Sequence, residues 1–251
     1  MICHKNKLIF IHISKCAGTS IERALLQQKL SVNIPNYEFL YGWDPKAELF
    51  LHHATPKQLM ELGLLDIKTW DTYFKFIIVR NPWDRAYSDY LWMLNQLKQY
   101  DTFNNFLNRA GVFKNIMTIK NRYYRGDHLN KQIDYFFIDG QAIKYDKVLY
   151  FENLKHELPE LANAIGVEAH FFMKKENVSK SNKLHYSQFY NVSQKKMIDD
   201  MYSDDIQYLG YMYEKKPGSW FKKKVFLPYH FGVKQSVKMY FNYLKNSYIQ
   251  K

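Results

Sequence analysis

An α/β protein built around a parallel sheet is what this sequence predicts, and three recurring units predict it. Leu8 to Ile13 (LIFIHI) is a short Ile-rich apolar run that leaves through Ser14, Lys15 and Gly18 into a helical pattern from Thr19 to Gln28. Phe74 to Val79 (FKFIIV) repeats the design, with Arg80, Asn81 and Pro82 at its end and helical spacing from Trp83 to about Lys98. Lys147 to Phe151 (KVLYF) precedes a helix from Leu154 to Ile165 closed by Gly166. Short apolar strands that alternate with amphipathic helices imply parallel strands covered on both faces, a three-layer arrangement.

The remaining elements follow from local chemistry. Asn81 is a natural N-cap and Pro82 a natural first helical residue, because proline has no N–H to leave unsatisfied there. Between Ser31 and Asp71, loop signals (Pro35, Gly42, Asp44 and Pro45) mix with a short helix after Thr55 and Pro56, which makes this stretch the candidate acceptor-side insertion. From Ser193 to Leu209, Met197, Ile198, Met201, Ile206 and Leu209 are spaced for one buried helical face. No internal repeat and no flexible linker precedes Lys215, so the expected organisation is one domain over 1–214 and a basic aromatic extension over 215–251.

The 251 residues, 47% apolar and 18% aromatic with only 10 Gly and 7 Pro, exclude a disordered, collagenous or low-complexity chain. The formal charge is +12, and the extension, with nine Lys and no acid, carries nine of those charges. That field favours an anionic ligand, polymer or surface. In the extension, Val237, Tyr240, Phe241, Leu244 and Tyr248 fall on one helical face beside Lys238 and Lys245, a pattern suited to an anionic bilayer, to the body of the protein or to an acidic polysaccharide. Two cysteines, Cys3 and Cys16, make no disulfide framework, and no 18-residue apolar run exists. The expectation is a cytoplasmic protein with a peripheral membrane contact through its tail, in which the sequons at Asn177 and Asn191 go unread.

The chemistry concentrates in the first two units. A small-residue loop before a helix N-terminus aims backbone N–H groups and the positive end of the helix dipole at one spot, which suits a phosphate or sulfate. Here Gly18 would let the backbone approach an oxyanion, Thr19 and Ser20 add hydroxyls, and Lys15 adds a charge. It is not a Walker A loop, since the Lys precedes the Gly and no first Gly exists. In the second unit Arg80 stands at the C-terminal end of a strand, where ligands of open α/β sheets collect, and Ser88 lies one and a half turns along the following helix. Alternatively, Arg80 caps a helix or pairs with a carboxylate such as Asp84. Anion sites on two strands would suit a nucleotide with 5' and 3' phosphates.

At this point IFIHISKCAGTSIE resembles the 5'-phosphosulfate loop of sulfotransferases that use 3'-phosphoadenosine 5'-phosphosulfate (PAPS), and FIIVRNPWDRAYSDY resembles their 3'-phosphate segment. Weaker similarity continues through Gln132 to Tyr135, Leu149 to Leu154, Asn177 to Ser179 and Tyr202 to Tyr211, so it covers residues 7 to about 213. The likeness is to the branch containing carbohydrate O-sulfotransferases, the sulfotransferase family 2 type. It implies a P-loop nucleotide-kinase-like fold, PAPS as co-substrate and no metal. Lys15, Cys16, Ala17, Gly18, Thr19 and Ser20 would hold the donor's 5' end, and Arg80 with Ser88 its 3'-phosphate.

Lys15 would also meet the charge that develops on the departing phosphate. The acceptor hydroxyl needs a base, and a His suits neutral pH. His53, in a His-Ala-Thr segment ahead of the second strand, is the first choice and His52 the competitor, with His12, His128, His185 or a carboxylate also open. Lys180 and Lys183 lie where related enzymes close a loop. The expected partners are a carbohydrate or glycolipid acceptor and an anionic membrane surface, with no nucleic acid. A nucleotide kinase or NTPase of similar fold, a non-catalytic basic binding module and a member that binds PAPS without transferring it are the rival readings.

Overall fold

The computed structural model describes residues 1–26, 28–168, 171–172 and 184–216. The first half of the chain forms β1 (Ile2–Cys3), β2 (Leu8–Ile11), α1 (Gly18–Leu26), β3 (Trp43–Asp44), β4 (Leu49–Phe50), α2 (Pro56–Glu61), α3 (Ile67–Thr72), β5 (Phe74–Val79) and α4 (Pro82–Leu97). Then come α5 (Phe103–Leu107), α6 (Lys114–Thr118), β6 (Phe137–Ile138), β7 (Gln141–Ala142), β8 (Lys147–Tyr150), α7 (Leu154–Ala164), α8 (Tyr186–Phe189), α9 (Val192–Met201) and α10 (Ser203–Leu209). The chain divides into two compact units, one of residues 1–80 with 119–176 and one of residues 81–118 with 177–251.

The first unit is α/β. Its sheet has the order β1-β2-β5-β8, and the three apolar runs of the sequence become neighbouring strands. β2 runs parallel to β5 with Leu8 opposite Phe74, and β5 runs parallel to β8 with Phe76 opposite Lys147. Every residue of β2 is buried, and so is β5 from Lys75 to Val79, as a strand covered on both faces requires. Lys75 is the polar exception; its ammonium reaches Asp146 at 3.0 Å and the Tyr73 carbonyl at 2.9 Å.

The sheet departs from a purely parallel one at its edge, where β1 pairs antiparallel with β2, Ile2 opposite Ile9. Two residues are too few to show a period, and this strand escapes pattern reading for that reason. Two boundaries also move. β2 ends at Ile11, its last residue paired with β5, so His12 stands past the strand rather than inside it. β8 ends at Tyr150 because Phe151–Asn153 winds into a 3-10 turn before α7.

Local signals hold where they are chemical. Asn81 caps α4, its side chain accepting from the N–H groups of Trp83 and Asp84, with Pro82 next. Thr55 and Gln58 form a reciprocal capping box at α2.

Among its described residues the second unit has only helices, gathered around an aromatic core. Tyr87 stacks on Phe189 at 4.4 Å, and Phe103 meets Tyr90, Phe106 and Tyr190 at 5.1 to 5.9 Å between ring centroids. The helix expected over 193–209 is two helices, broken at Tyr202 (φ −116°, ψ 28°), with Asp204 and Asp205 in the first turn of α10. Of its expected buried face, Ile198 and Leu209 are buried and Met197, Met201 and Ile206 are half-buried. Asn191 serves as the N-cap of α9.

Cys3 and Cys16 are buried free thiols. No helix among the described residues is long and apolar enough to cross a membrane. The readings of Asn177, Lys180, Lys183 and the aromatic stripe of the tail fall outside the described residues.

Candidate active site

The loop between β2 and α1 turns by taking the left-handed conformation at two residues that are not glycine, Lys15 (φ 66°) and Ala17 (φ 62°). Left-handed backbone is unfavourable for side chains with a Cβ, so the surroundings must hold it. They do so through the Arg80 guanidinium, whose Nη1 donates to the Lys15 carbonyl at 2.6 Å. The loop runs directly into the first turn of α1, whose free N–H groups and dipole suit an anion, while two loop amides are already committed, Cys16 N–H to the Ile13 carbonyl at 3.3 Å and Ser20 N–H to the Ala17 carbonyl at 3.2 Å. Lys15 and Ser20 are half-buried and Thr19 is exposed, so cation and hydroxyls reach solvent around that turn. Cys16, by contrast, is buried; its thiol faces the Ser14 carbonyl at 3.6 Å and Gln132 Oε1 at 3.9 Å, which makes it a packing residue of the loop.

Gly18 has a cause that sequence reasoning missed. A Cβ built on it would lie 1.6 Å from Nε2 of His12, so the ring of His12 occupies the space a side chain would need. His12 is buried between β2 and α1, with Nδ1 3.3 Å from Glu22 Oε1 on the helix but outside hydrogen-bonding alignment. Burial lowers its pKa, Glu22 opposing, while the Glu22 carboxyl is held low by His12 against the cost of its own burial.

Arg80 follows β5 and is buried, its guanidinium stacked 3.8 Å above the Phe151 ring. Its backbone is grasped at both ends by one side chain: Gln132 Oε1 accepts from the Arg80 N–H at 2.9 Å and Gln132 Nε2 donates to the Arg80 carbonyl at 2.8 Å. Gln132 is wholly buried, as an amide with both ends bonded can be. Ser88 lies half-buried on α4, in the second unit.

Four imidazoles of the first unit gather near the end of β2. The His52 and His53 rings are 4.3 Å apart, His12 is 4.8 Å from His53, and His128 is 5.4 Å from His53. Their partners separate their roles. His52 is buried and its Nδ1 accepts from the Gly42 N–H at 3.2 Å. Burial, with the neighbouring imidazoles, pushes its pKa well down, so it stays neutral and ties down the loop at Gly42.

His53 instead meets Asp127, Nδ1 to Oδ2 at 2.5 Å, and its own carbonyl accepts from the Tyr135 hydroxyl at 2.8 Å. With Nδ1–H directed at a carboxylate, the Nε2 lone pair is the one left to take a proton. Burial of Asp127 works to raise its carboxyl, but the adjoining His53, aided by His128 and Arg125, outweighs it and holds the pKa at about 2. Ligand atoms of His53, Asp127 and His128 also lie within 4.8 Å of one another, close enough for a three-ligand metal centre.

Asp127, Gln132 and Tyr135 had no assigned role in the sequence reading. All three lie in one loop-rich stretch, and a weak likeness around Gln132 to Tyr135 was the signal available for two of them. The same stretch touches the loop between β2 and α1, where the Ser14 hydroxyl donates to the His128 carbonyl at 3.3 Å. His185, considered as a base, caps α8 in the second unit, its Nδ1 accepting from the Ser187 N–H.

Residues 1–212 match a family model described as the sulfotransferase family. No curated protein sequence matches the chain. Among solved structures, a sulfotransferase from Alicyclobacillus acidocaldarius is similar at 15% identity and a TM-score of 0.42, over 86% of this chain and 98% of that one.

Proposed function

The chain belongs to the sulfotransferase family, and from that premise we propose that it moves a sulfuryl group from PAPS to a hydroxyl of a carbohydrate acceptor, a polysaccharide or a glycolipid. The observation that carries the reading is the His53–Asp127 pair, a general base already oriented by a carboxylate, in the same compact unit as the Lys15 loop. The donor set fits the donor: a cation, two hydroxyls and a helix N-terminus suit the oxyanions of a phosphosulfate. The acceptor oxygen forms its bond to sulfur as the bond from sulfur to the 5'-phosphate oxygen breaks, and the acceptor proton passes to His53 Nε2. Lys15 stabilises the negative charge arriving on the phosphate, and Asp127 stabilises the imidazolium. Arg80 is assigned to the 3'-phosphate together with Ser88; for Ser88 the support is the sequence segment alone.

The reading places the protein in the cytoplasm, with the Lys- and aromatic-rich tail holding it at an anionic membrane surface where a lipid-linked acceptor would be met. Titration calorimetry with 3'-phosphoadenosine 5'-phosphate beside ADP and ATP, without metal, tests the donor half. Micromolar binding of the bisphosphate with preference over ADP is expected, and preference for ATP would return the nucleotide-kinase reading. Transfer of labelled sulfate from PAPS to candidate glycans tests the other half.

A further inference from the structure

Three groups of the histidine cluster form a set that a proton transfer alone does not require. Ligand atoms of His53, Asp127 and His128 lie within 4.8 Å of one another. They come from two short 3-10 turns of the first unit, Leu51–His53 and Gly126–Leu129. Both turns are tied down. The His53 carbonyl accepts from the Tyr135 hydroxyl at 2.8 Å, the His128 carbonyl from the Ser14 hydroxyl at 3.3 Å and the Asp127 carbonyl from the Asn130 N–H at 3.1 Å. All three anchors fall on main-chain oxygens, so none of them uses a ring nitrogen or a carboxylate oxygen.

A second observation concerns Asp127. Its Oδ2 meets His53, but Oδ1 is buried and accepts from no group among the described residues. A carboxylate oxygen can only accept, so one buried without a donor is costly, and a cation would satisfy it. The other two rings of the cluster are turned elsewhere: His12 Nδ1 faces Glu22, and His52 Nδ1 accepts from the Gly42 N–H. His53 and Asp127 keep 11% and 12% of their side-chain surface in solvent, so the set is not sealed. Two imidazole nitrogens and one carboxylate oxygen are donors for zinc and the late first-row metals, whereas magnesium and calcium take oxygen ligands. Zinc holds such ligands at about 2.0–2.2 Å, which sets them roughly 3.3 Å apart in a tetrahedron, and side-chain rotation can supply the approach of at most about 1.5 Å. Three protein ligands leave a fourth position to water, the count of an open site rather than a closed structural one.

We propose that His53, Asp127 and His128 form a reversible zinc site whose occupancy switches transfer off. The switching rests on the reading of His53 as the base, while the site itself does not. A ring nitrogen of His53 bound to the ion either gives up the lone pair that takes the proton or breaks the bond to Asp127 that orients the ring. The ion is an inhibitor and supplies no step of the reaction. Arg125, a cation that acts on the same carboxylate, opposes the ion and holds the affinity in the micromolar range.

The test titrates the chelator-stripped, untagged full-length protein with Zn²⁺ by calorimetry. Micromolar binding is expected. His128→Gln should weaken it by at least about 10-fold, since even an outer-shell partner of a ligand is worth roughly 10- to 100-fold. Asp127→Asn, of the same shape, is the second variant and should do likewise, and His156→Gln, at an exposed position on α7, should change nothing. Zn²⁺ should also shield His53 from carbethoxylation by diethyl pyrocarbonate, read by peptide mass spectrometry, and Mg²⁺ and Ca²⁺ should not. Sulfuryl transfer should fall in step with occupancy and return on adding chelator. No uptake of Zn²⁺ overturns the proposal, and so does uptake that His128→Gln and Asp127→Asn both leave intact. A filled site at which His53 is still modified, or at which transfer persists, overturns the switch. Failure of the metal-free protein to bind 3'-phosphoadenosine 5'-phosphate would instead count against the donor reading and leave the zinc titration to judge the site.

Discussion

The loop between β2 and α1 and the histidine cluster lie in one unit of the molecule, yet they are assembled by opposite means. The loop from Ser14 to Ser20 is seven consecutive residues whose chemistry is local: a strand end, a turn and a helix start bring cation, hydroxyls and amides together by covalent connection. The proposed base joins His53 to Asp127, 74 positions apart, through a hydrogen bond of 2.5 Å that only tertiary structure creates. A local site tolerates changes elsewhere and is readable as a motif. A long-range one depends on every element between its halves.

The sharpest way to separate the two is to remove one charge-bearing group from each. His53→Ala should lower kcat by about 10²- to 10⁴-fold, the usual worth of a positioned general base, with titration of 3'-phosphoadenosine 5'-phosphate unchanged; full activity in this variant would move the base elsewhere. Lys15→Ala should cost about 10²- to 10³-fold in kcat, as removal of one group aimed at transition-state charge does. Its effect on acceptor KM should be small, and a kcat left intact would deny Lys15 its role.

A smaller effect tests the junction of the two regions. Gly18→Ala forces a methyl into the His12 ring, and overpacking of this kind costs about 1–3 kcal/mol. Shrinking the obstacle with His12→Ala in the same chain should recover part of that loss in urea unfolding. Additive losses in the double variant would show that the ring is not what demands glycine.

The smallest effect is a pH dependence of stability. The Asp127 carboxyl is ordinarily near 3.8 and lies at about 2 in the folded protein, so the folded state holds its proton less tightly than the unfolded one. The stabilisation is therefore complete above about pH 5 and is lost as pH falls toward 2, about 2 kcal/mol in all. Asp127→Asn should flatten that part of the unfolding curve, and an unchanged curve would detach the carboxylate from His53.

What was legible in the sequence follows the same division. The three strands, the Asn81 cap and the α1 loop were readable because apolar runs and capping chemistry act over a few residues. β1 was not, being too short to carry a period, and the break at Tyr202 was not, since the apolar spacing continues across it. His53 is preferred over His52 on resemblance alone, and what distinguishes the two rings in the structure, one held by Gly42 and the other by Asp127, lies in contacts between distant segments. Gly18 is read from the sequence as admitting an oxyanion, whereas the demand for glycine that the structure shows is steric: the neighbour that excludes a side chain there is six residues back and across a turn.

The double hydrogen bond of Gln132 to Arg80 gives the molecule an internal clock. One side-chain amide occupies both backbone positions that a neighbouring strand would otherwise bond, so the Arg80 N–H can meet solvent only when the stretch around Gln132 lifts from the sheet end. Hydrogen exchange at that single amide therefore times the opening of the segment that also carries Asp127 and Tyr135, and reports how long the His53–Asp127 pair stays assembled between openings.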